Sequence, residues 1–412
     1  MEEWKKIKIS DICNRITSGG TPKSTIAEYY GGNIPWLNTK EINFNRIFKT
    51  EKSITDLGLK SSSAKLITIN SVVVAMYGAT AGKVAITKIP LTTNQACCNL
   101  SIDSTKADYR YVYYALSNDY SRLASLANGG AQQNLNAQLI KDFEIIYPSL
   151  EKQKRIANIL SSLDDKIELN NRINANLEEQ AQALFRRWFV DFEFPNEEGL
   201  SYKSNGGKFA ESEHGAIPEG WNLNPLNHFG KIVCGKTPSK SIENYFGGDI
   251  PFIKIPDMHN NIFVINSEDS LSSCGERSQS NKTIPPYSIL VSCIATVGLV
   301  CMNTKRSQFN QQINAIIPFN ESFRYYIYLK LKTMYNKLQL LASGGSATLN
   351  LNTSQFSAIK IENPNKKLII DFNKITKPFF NEIELRQNEN IYLTQLRDSL
   401  LPKLMNNQIE IH

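Results

Sequence analysis

The chain has 412 residues, 41% of them apolar and 21% charged, with a formal net charge of +7 at pH 7. That describes an ordinary soluble protein long enough for two or more domains with sizeable cores, and its mildly basic balance suits a nucleic-acid partner. No apolar run approaches a membrane span, the opening MEEWKKIKIS lacks a signal core, and the 7 cysteines have no framework spacing, so a cytoplasmic protein with reduced thiols is expected.

Taken in order, the chain repeats itself. Residues 21–36 read TPKSTIAEYYGGNIPW, and 237–252 read TPSKSIENYFGGDIPF, so that Thr21 answers Thr237 and 8 of the 16 positions are identical. Trp4 and Trp221 open the two halves. Residues 71–86 answer 287–302, each predicted as a strand, a turn at Gly82 or Gly298, and another strand. Asn94-Gln95 answers Asn310-Gln311, Gly129-Gly130 answers Gly344-Gly345, and Asn134-Leu135-Asn136 answers Asn350-Leu351-Asn352. Tyrosine-rich helical stretches, 108–126 and 323–341, precede the last of these. Cys97-Cys98 reads as two small core residues in a strand. Each half is therefore expected to be a globular α+β head, spanning 1–148 and 221–364.

A long helix follows each head. Over 149–190, Ile156, Leu160, Leu163, Ile167, Leu177, Ala181, Leu184 and Trp188 recur in alternating steps of four and three. That is the seam of a helix packed on a partner helix, interrupted only by Asn170 and Asn174. Over 365–412 the seam returns as Phe372, Ile383, Leu393, Leu400 and Leu404, with Arg386 and Asn390 repeating the polar interruption. Ser149 and Asn365 are the expected N-caps. Pro378 stands where the first copy has Ser162, so a kink or a fresh helix start is expected there. The acidic, Gly-rich stretch 191–220 reads as a linker over the surface. The order head, helix, head, helix implies two antiparallel coiled-coil-like helices between the heads, with a pseudo-two-fold axis near the polar layer.

Catalytic chemistry is hard to find. The 4 histidines lack metal-ligand spacing, and no C-x-x-C occurs. Gly78–Lys83 fails as a phosphate loop, because three residues separate its glycines and Val84 follows the lysine. No dinucleotide fingerprint appears, nor an N/D-P-P-Y/F motif for gripping a flipped base. A non-catalytic chain with no metal and no cofactor of its own is expected. Two similar heads on a rigid spacer suit duplex DNA, with lysines on phosphates and divergent loops on bases. The candidate contacts are Thr21, Lys23, Lys40, Tyr77, Thr80, Lys83 and Gln132 in the first head. In the second they are Thr237, Lys240, Lys254, Thr296 and Lys305.

Several segments together carry a family resemblance. They are Thr21-Pro22 with Tyr29…Gly31-Gly32-Asn33-Ile34-Pro35-Trp36, Gly82-Lys83 after a strand, and Asn134-Leu135-Asn136 ahead of Pro148…Gln153-Lys154-Arg155-Ile156. To these add Leu184-Phe185…Trp188-Phe189-Val190-Asp191-Phe192, Tyr202-Lys203-Ser204, and Leu400-Leu401-Pro402-Lys403-Leu404-Met405. As a set, over essentially the whole chain, they resemble the specificity (S) subunit of type I restriction-modification systems. The resemblance implies two target-recognition domains, each reading one half of a bipartite DNA site, and central helices that set the gap. It also implies two docked modification (methyltransferase) subunits using S-adenosylmethionine, and restriction subunits using ATP and magnesium. Leu299 in place of Lys83 and the proline at 378 depart from the repeat. Two other readings stand beside this one: a coiled-coil scaffold whose heads bind proteins, and a DNA enzyme with an unrecognised site.

Overall fold

The computed structural model describes residues 4–128, 134–343 and 348–410. The chain divides into two compact units, one of residues up to Ile167 with those from Tyr392 onward, the other Glu168–Ile391. Each unit contains one head and a portion of both long helices.

The strands of the first head are β1 (Lys5–Lys8), β2 (Cys13–Ser18), β3 (Tyr30–Leu37), β4 (Asn45–Ile47), β5 (Lys52–Ile54), β6 (Val72–Ala75), β7 (Val84–Thr87), β8 (Thr92–Thr93), β9 (Cys97–Ile102) and β10 (Glu144–Tyr147). They form a five-stranded sheet in the order β2-β9-β6-β7-β4, a three-stranded sheet β5-β3-β8, and the pair β1-β10. The β6 sequence VVVA is apolar throughout because both sheet faces are covered. Val72 and Val74 pack with Tyr111, Val112 and Ala115 of the helix Tyr109–Asn118. Val73 and Ala75 point the other way, onto Leu37, Ile42 and Leu91. Cys97 and Cys98 are fully buried in β9, and burial pushes the Cys98 thiol up to about 12, which keeps it protonated and inert.

The second head repeats this plan. After a short hairpin, β11 (Phe209–Ala210) and β12 (Ile217–Pro218), come β13 (Asn222–Pro225), β14 (Gly230–Cys234), β15 (Phe246–Ile253), β16 (Phe263–Val264), β17 (Asp269–Leu271), β18 (Ile289–Ser292), β19 (Val300–Asn303), β20 (Gln308–Phe309), β21 (Ile313–Pro318) and β22 (Lys360–Asn363). The sheets are β14-β21-β18-β19-β16, β17-β15-β20 and β13-β22. The repeat is not of constant offset. Val72 pairs with Ile86 in the first head, and Ile289 with Met302 in the second, so the second β-turn is one residue shorter.

The long helices are Leu150–Phe189 and Lys366–Met405. Ser149 Oγ accepts the Lys152 N–H at 3.4 Å and Asn365 Oδ1 the Leu368 N–H at 2.8 Å, so both starts are capped by side chains. The expected fresh start at Pro378 is corrected: the second helix runs through it unbroken. Pro378 is exposed, whereas Phe372, Phe380 and Ile383 on either side of it are fully buried. Packing before and after the proline outweighs the one ladder bond it cannot make.

Within each unit the two helices run antiparallel. In the first unit Lys152 meets Asn407 and Asp164 meets Arg397, while Ile156 and Leu160 share a core with Leu404. In the second unit Asn170 meets Asn390, and Phe185 and Trp188 meet Phe372. Of the first-helix seam residues, Ile156, Leu160, Asn170, Asn174, Ala181 and Trp188 are buried, and Leu163, Ile167, Leu177 and Leu184 are half-buried. On the second helix Phe372, Ile383 and Leu404 are buried, and Arg386, Asn390, Leu393 and Leu400 half-buried. The polar layer is hydrogen-bonded: Asn170 Nδ2 donates to Glu389 and Asn390 at 2.8 Å, and Arg386 donates to Asn170 Oδ1 at 3.0 Å.

The 191–220 stretch does more than lie over the surface. Phe194 is buried and stacks on both Tyr202 and Trp221, with ring centroids 4.6 and 5.4 Å away. Aromatic residues spaced without period carry no helical or strand signal. Among the described residues no helix is long and apolar enough to cross a membrane.

Candidate functional site

Strand direction decides which loops meet. Ser18 at the end of β2 lies opposite Cys98, and Ala75 at the end of β6 opposite Cys97 at the start of β9. The turn after β2, the turn before β9 and the loop after β6 therefore leave the same end of the sheet. The end of β3 joins them through Leu37 beside Thr93. Thr21, Lys23, Lys40, Tyr77, Thr80 and Lys83 all lie on these connections. Gln132 lies outside the described residues, as do the paired glycines 129–130 and 344–345.

The turn after β2 sits hard against the turn before β9. A Cβ at Gly19 would collide with the carbonyl oxygens of Thr93 and Asn94, and one at Gly235 with that of Asn310, so only glycine allows the approach in either head. Gly20 donates to Thr93 O at 2.8 Å, and Lys236 to Phe309 O at 2.9 Å. The amides of Ala81, Gly82 and Lys83 bond to Gly78, Ala75 and Thr80 within the hairpin.

The candidate side chains differ in availability. Lys23 is exposed and Tyr77 is 41% exposed. Lys83 Nζ donates to Asn43 Oδ1 at 2.7 Å. Lys40 pairs with Glu51 at 2.5 Å, and that carboxylate's hydrogen bond and charge raise the Lys40 pKa. In the second head Thr237, Lys240 and Thr296 lie on the matching turns, after β14 and β18. Lys254 follows β15 and is held by Asp269 at 2.9 Å and Glu268 at 3.4 Å, Asp269 first among the causes that raise its pKa. Lys305 is placed apart from the others. It follows the end of β19, and β19 runs antiparallel to β18, so Lys305 sits at the opposite end of the sheet from Thr237 and Thr296. There its Nζ donates to Asn266 at 3.3 Å.

Two further residues lie on this surface that no local pattern singles out. Gln95 and Gln311 are exposed at the matching turn of each head, where Thr21 donates to Gln95 Oε1 and Thr237 to Gln311 Oε1. The signal was present in the repeated Asn-Gln dipeptide, but its partner lies 74 residues away in both heads, beyond any local pattern.

The architecture has known counterparts. The type I restriction modification DNA specificity domain matches residues 1–179 and 218–395. The HindI specificity subunit of Haemophilus influenzae is 40% identical over 341 residues, covering 71% of this chain and 74% of its own. The MjaIX specificity subunit of Methanocaldococcus jannaschii is 28% identical over 420 residues, covering 100% of this chain and 94% of its own. The crystal structure of a type I restriction-modification S subunit from M. genitalium superimposes with a TM-score of 0.59 at 19% identity, over 98% of this chain and 96% of that one, which establishes a shared fold. With both halves matched, the chain belongs to the type I restriction-modification DNA specificity subunits and carries two recognition domains.

Proposed function

We propose that each recognition domain reads one half of a bipartite duplex-DNA site through the loop end of its five-stranded sheet. The long helices set the gap between half-sites and dock two methyltransferase subunits, which supply S-adenosylmethionine. Restriction subunits with ATP and magnesium complete a cutting complex. The chain itself performs no chemistry and confers sequence choice on its partners. One observation carries this reading: the two heads keep the same loop platform while the side chains on it diverge, Lys23 against Ser239, Lys40 against Pro256 and Lys83 against Leu299. A shared platform gives the same docking geometry, and divergent loops give two different base readings.

Methylation mapping of genomic DNA tests it. Replacing residues 1–148 with the matching head of a relative is expected to change one half-site and leave the other and the gap intact. Loss or alteration of both half-sites would refute independent reading by the two heads.

A further inference from the structure

The exposed Thr–Gln pair occurs once in each head, on a support repeated bond for bond. Gly19 N–H donates to Cys97 O at 3.2 Å, and Gly235 N–H to Ile313 O at 3.1 Å. The Asn94 N–H donates to Leu37 O at 3.0 Å, and that of Asn310 to Ile253 O at 3.1 Å. Asn94 Oδ1 accepts the Ala96 N–H at 3.2 Å, and Asn310 Oδ1 the Gln312 N–H at 3.1 Å. Both asparagines are buried at 8% exposure, and the glutamine next to each is exposed. The support thus holds its neighbour's side chain out of the protein.

Several other polar positions shared by the heads have backbone duties. Glu41 and Asp257 accept the N–H of Asn38 and Lys254, and Asn136 and Asn352 cap short helices. The Thr–Gln pair closes no turn and caps no helix. Each threonine hydroxyl occupies the glutamine's carbonyl oxygen, at 2.7 Å in the second head, which turns the amide NH2 outward. Among the described residues neither amide nitrogen has a protein partner. What faces solvent is a fixed donor that fits an acceptor.

We propose that Gln95 and Gln311 donate to the phosphodiester backbone of duplex DNA, with Thr21 and Thr237 as positioning residues. The assignment rests on the DNA-reading role above. Its reason is the repeat itself: a residue that chose bases would differ between heads that read different half-sites, and this pair does not. A side chain kept in both suits what every half-site shares, the sugar-phosphate chain. Being neutral, the amide displaces no counterion, so it sets register rather than long-range attraction.

The test is fluorescence anisotropy of the full chain on a random-sequence duplex and on one carrying the mapped target. Gln95→Ala is expected to weaken both about tenfold, with an unchanged preference between them and an unchanged salt slope. Gln95→Glu keeps an acceptor for Thr21 but opposes a phosphate with a carboxylate, so its loss exceeds that of the alanine variant while the melting temperature holds. Gln311 variants behave alike. A change in half-site preference would make the glutamine a base reader, and unchanged affinity with a lowered melting temperature would make the pair a loop staple; either result overturns the inference. Should the wild-type chain bind neither duplex, the DNA-reading role falls and takes this inference with it.

Discussion

In the first unit buried polar groups stand beside Ile156, Ala157 and Leu160 where the long helix meets its head. Gln153, fully buried, donates to Pro148 O at 2.9 Å and accepts the Asp108 N–H at 3.1 Å. Asp164 accepts from Tyr114 at 2.5 Å and from Arg397 at 2.8 Å. Burial first, then the Asp164 carboxylate, raises the Tyr114 pKa, so its hydroxyl stays a donor at neutral pH. In the second unit aromatic rings do most of the same work. Phe189 lies 4.8 Å from Tyr326 and 4.9 Å from Phe372, and Tyr325 stacks on Phe380 at 4.2 Å. One fold accepts both solutions because they meet different demands. Rings need area and shape, whereas buried polar groups need every partner in place. The first joint is directional, and the second is a store of buried apolar surface.

The largest expected effect probes the aromatic joint. Phe372→Ala removes a fully buried ring that touches Phe185, Trp188 and Phe189, at a cost of about 3–5 kcal/mol. Hydrogen exchange during urea unfolding is expected to locate that loss in the Glu168–Ile391 unit. Equal losses in both units would erase the contrast between the joints. Next comes Asp164→Ala, which strips an acceptor from Tyr114 and Arg397. Arg397 keeps Asp398 at 2.8 Å and its side chain is 22% exposed, so the cost is about 2 kcal/mol rather than that of a fully buried pair. Asp164→Asn is expected to recover part of it, and an alanine variant as stable as wild type would show the polar joint to be idle.

The smallest effect is the pH dependence that Glu362 gives the second head. Burial works against the Glu362 carboxylate, but the Lys330 ammonium and the His214 ring beside it hold its pKa below the usual 4.5. A pKa lowered by folding contributes stability above the unfolded value, and that stability is lost as pH falls through the folded one. Glu362→Gln is expected to cost about 1 kcal/mol at neutral pH and nothing in strong acid. Ile146 occupies the matching strand position in the first head, so the first unit has no counterpart of this contribution. An acid limb that survives in the glutamine variant would assign it elsewhere.

Sequence alone carried the duplication, because identical residues recurring in the same order need no coordinates to be seen. It also carried the helix starts at Ser149 and Asn365, since a cap is a local bond, and the four-three recurrence of the seam. Other features are products of packing. Gln153 and Asp164 look like solvated residues of an amphipathic helix, and only a head folded over them makes them structural. Phe185 and Phe189 fall outside the four-three recurrence, yet both are buried because they reach Phe372 of the second helix and Tyr326 of the head at once. Pro378 reads as a break until the phenylalanines around it find their core. Lys305 resembles the other candidate lysines until strand direction puts it at the far end of the sheet. Local bonds and periodicity are written along the chain, whereas the company a side chain keeps is fixed only when residues distant in sequence close around it.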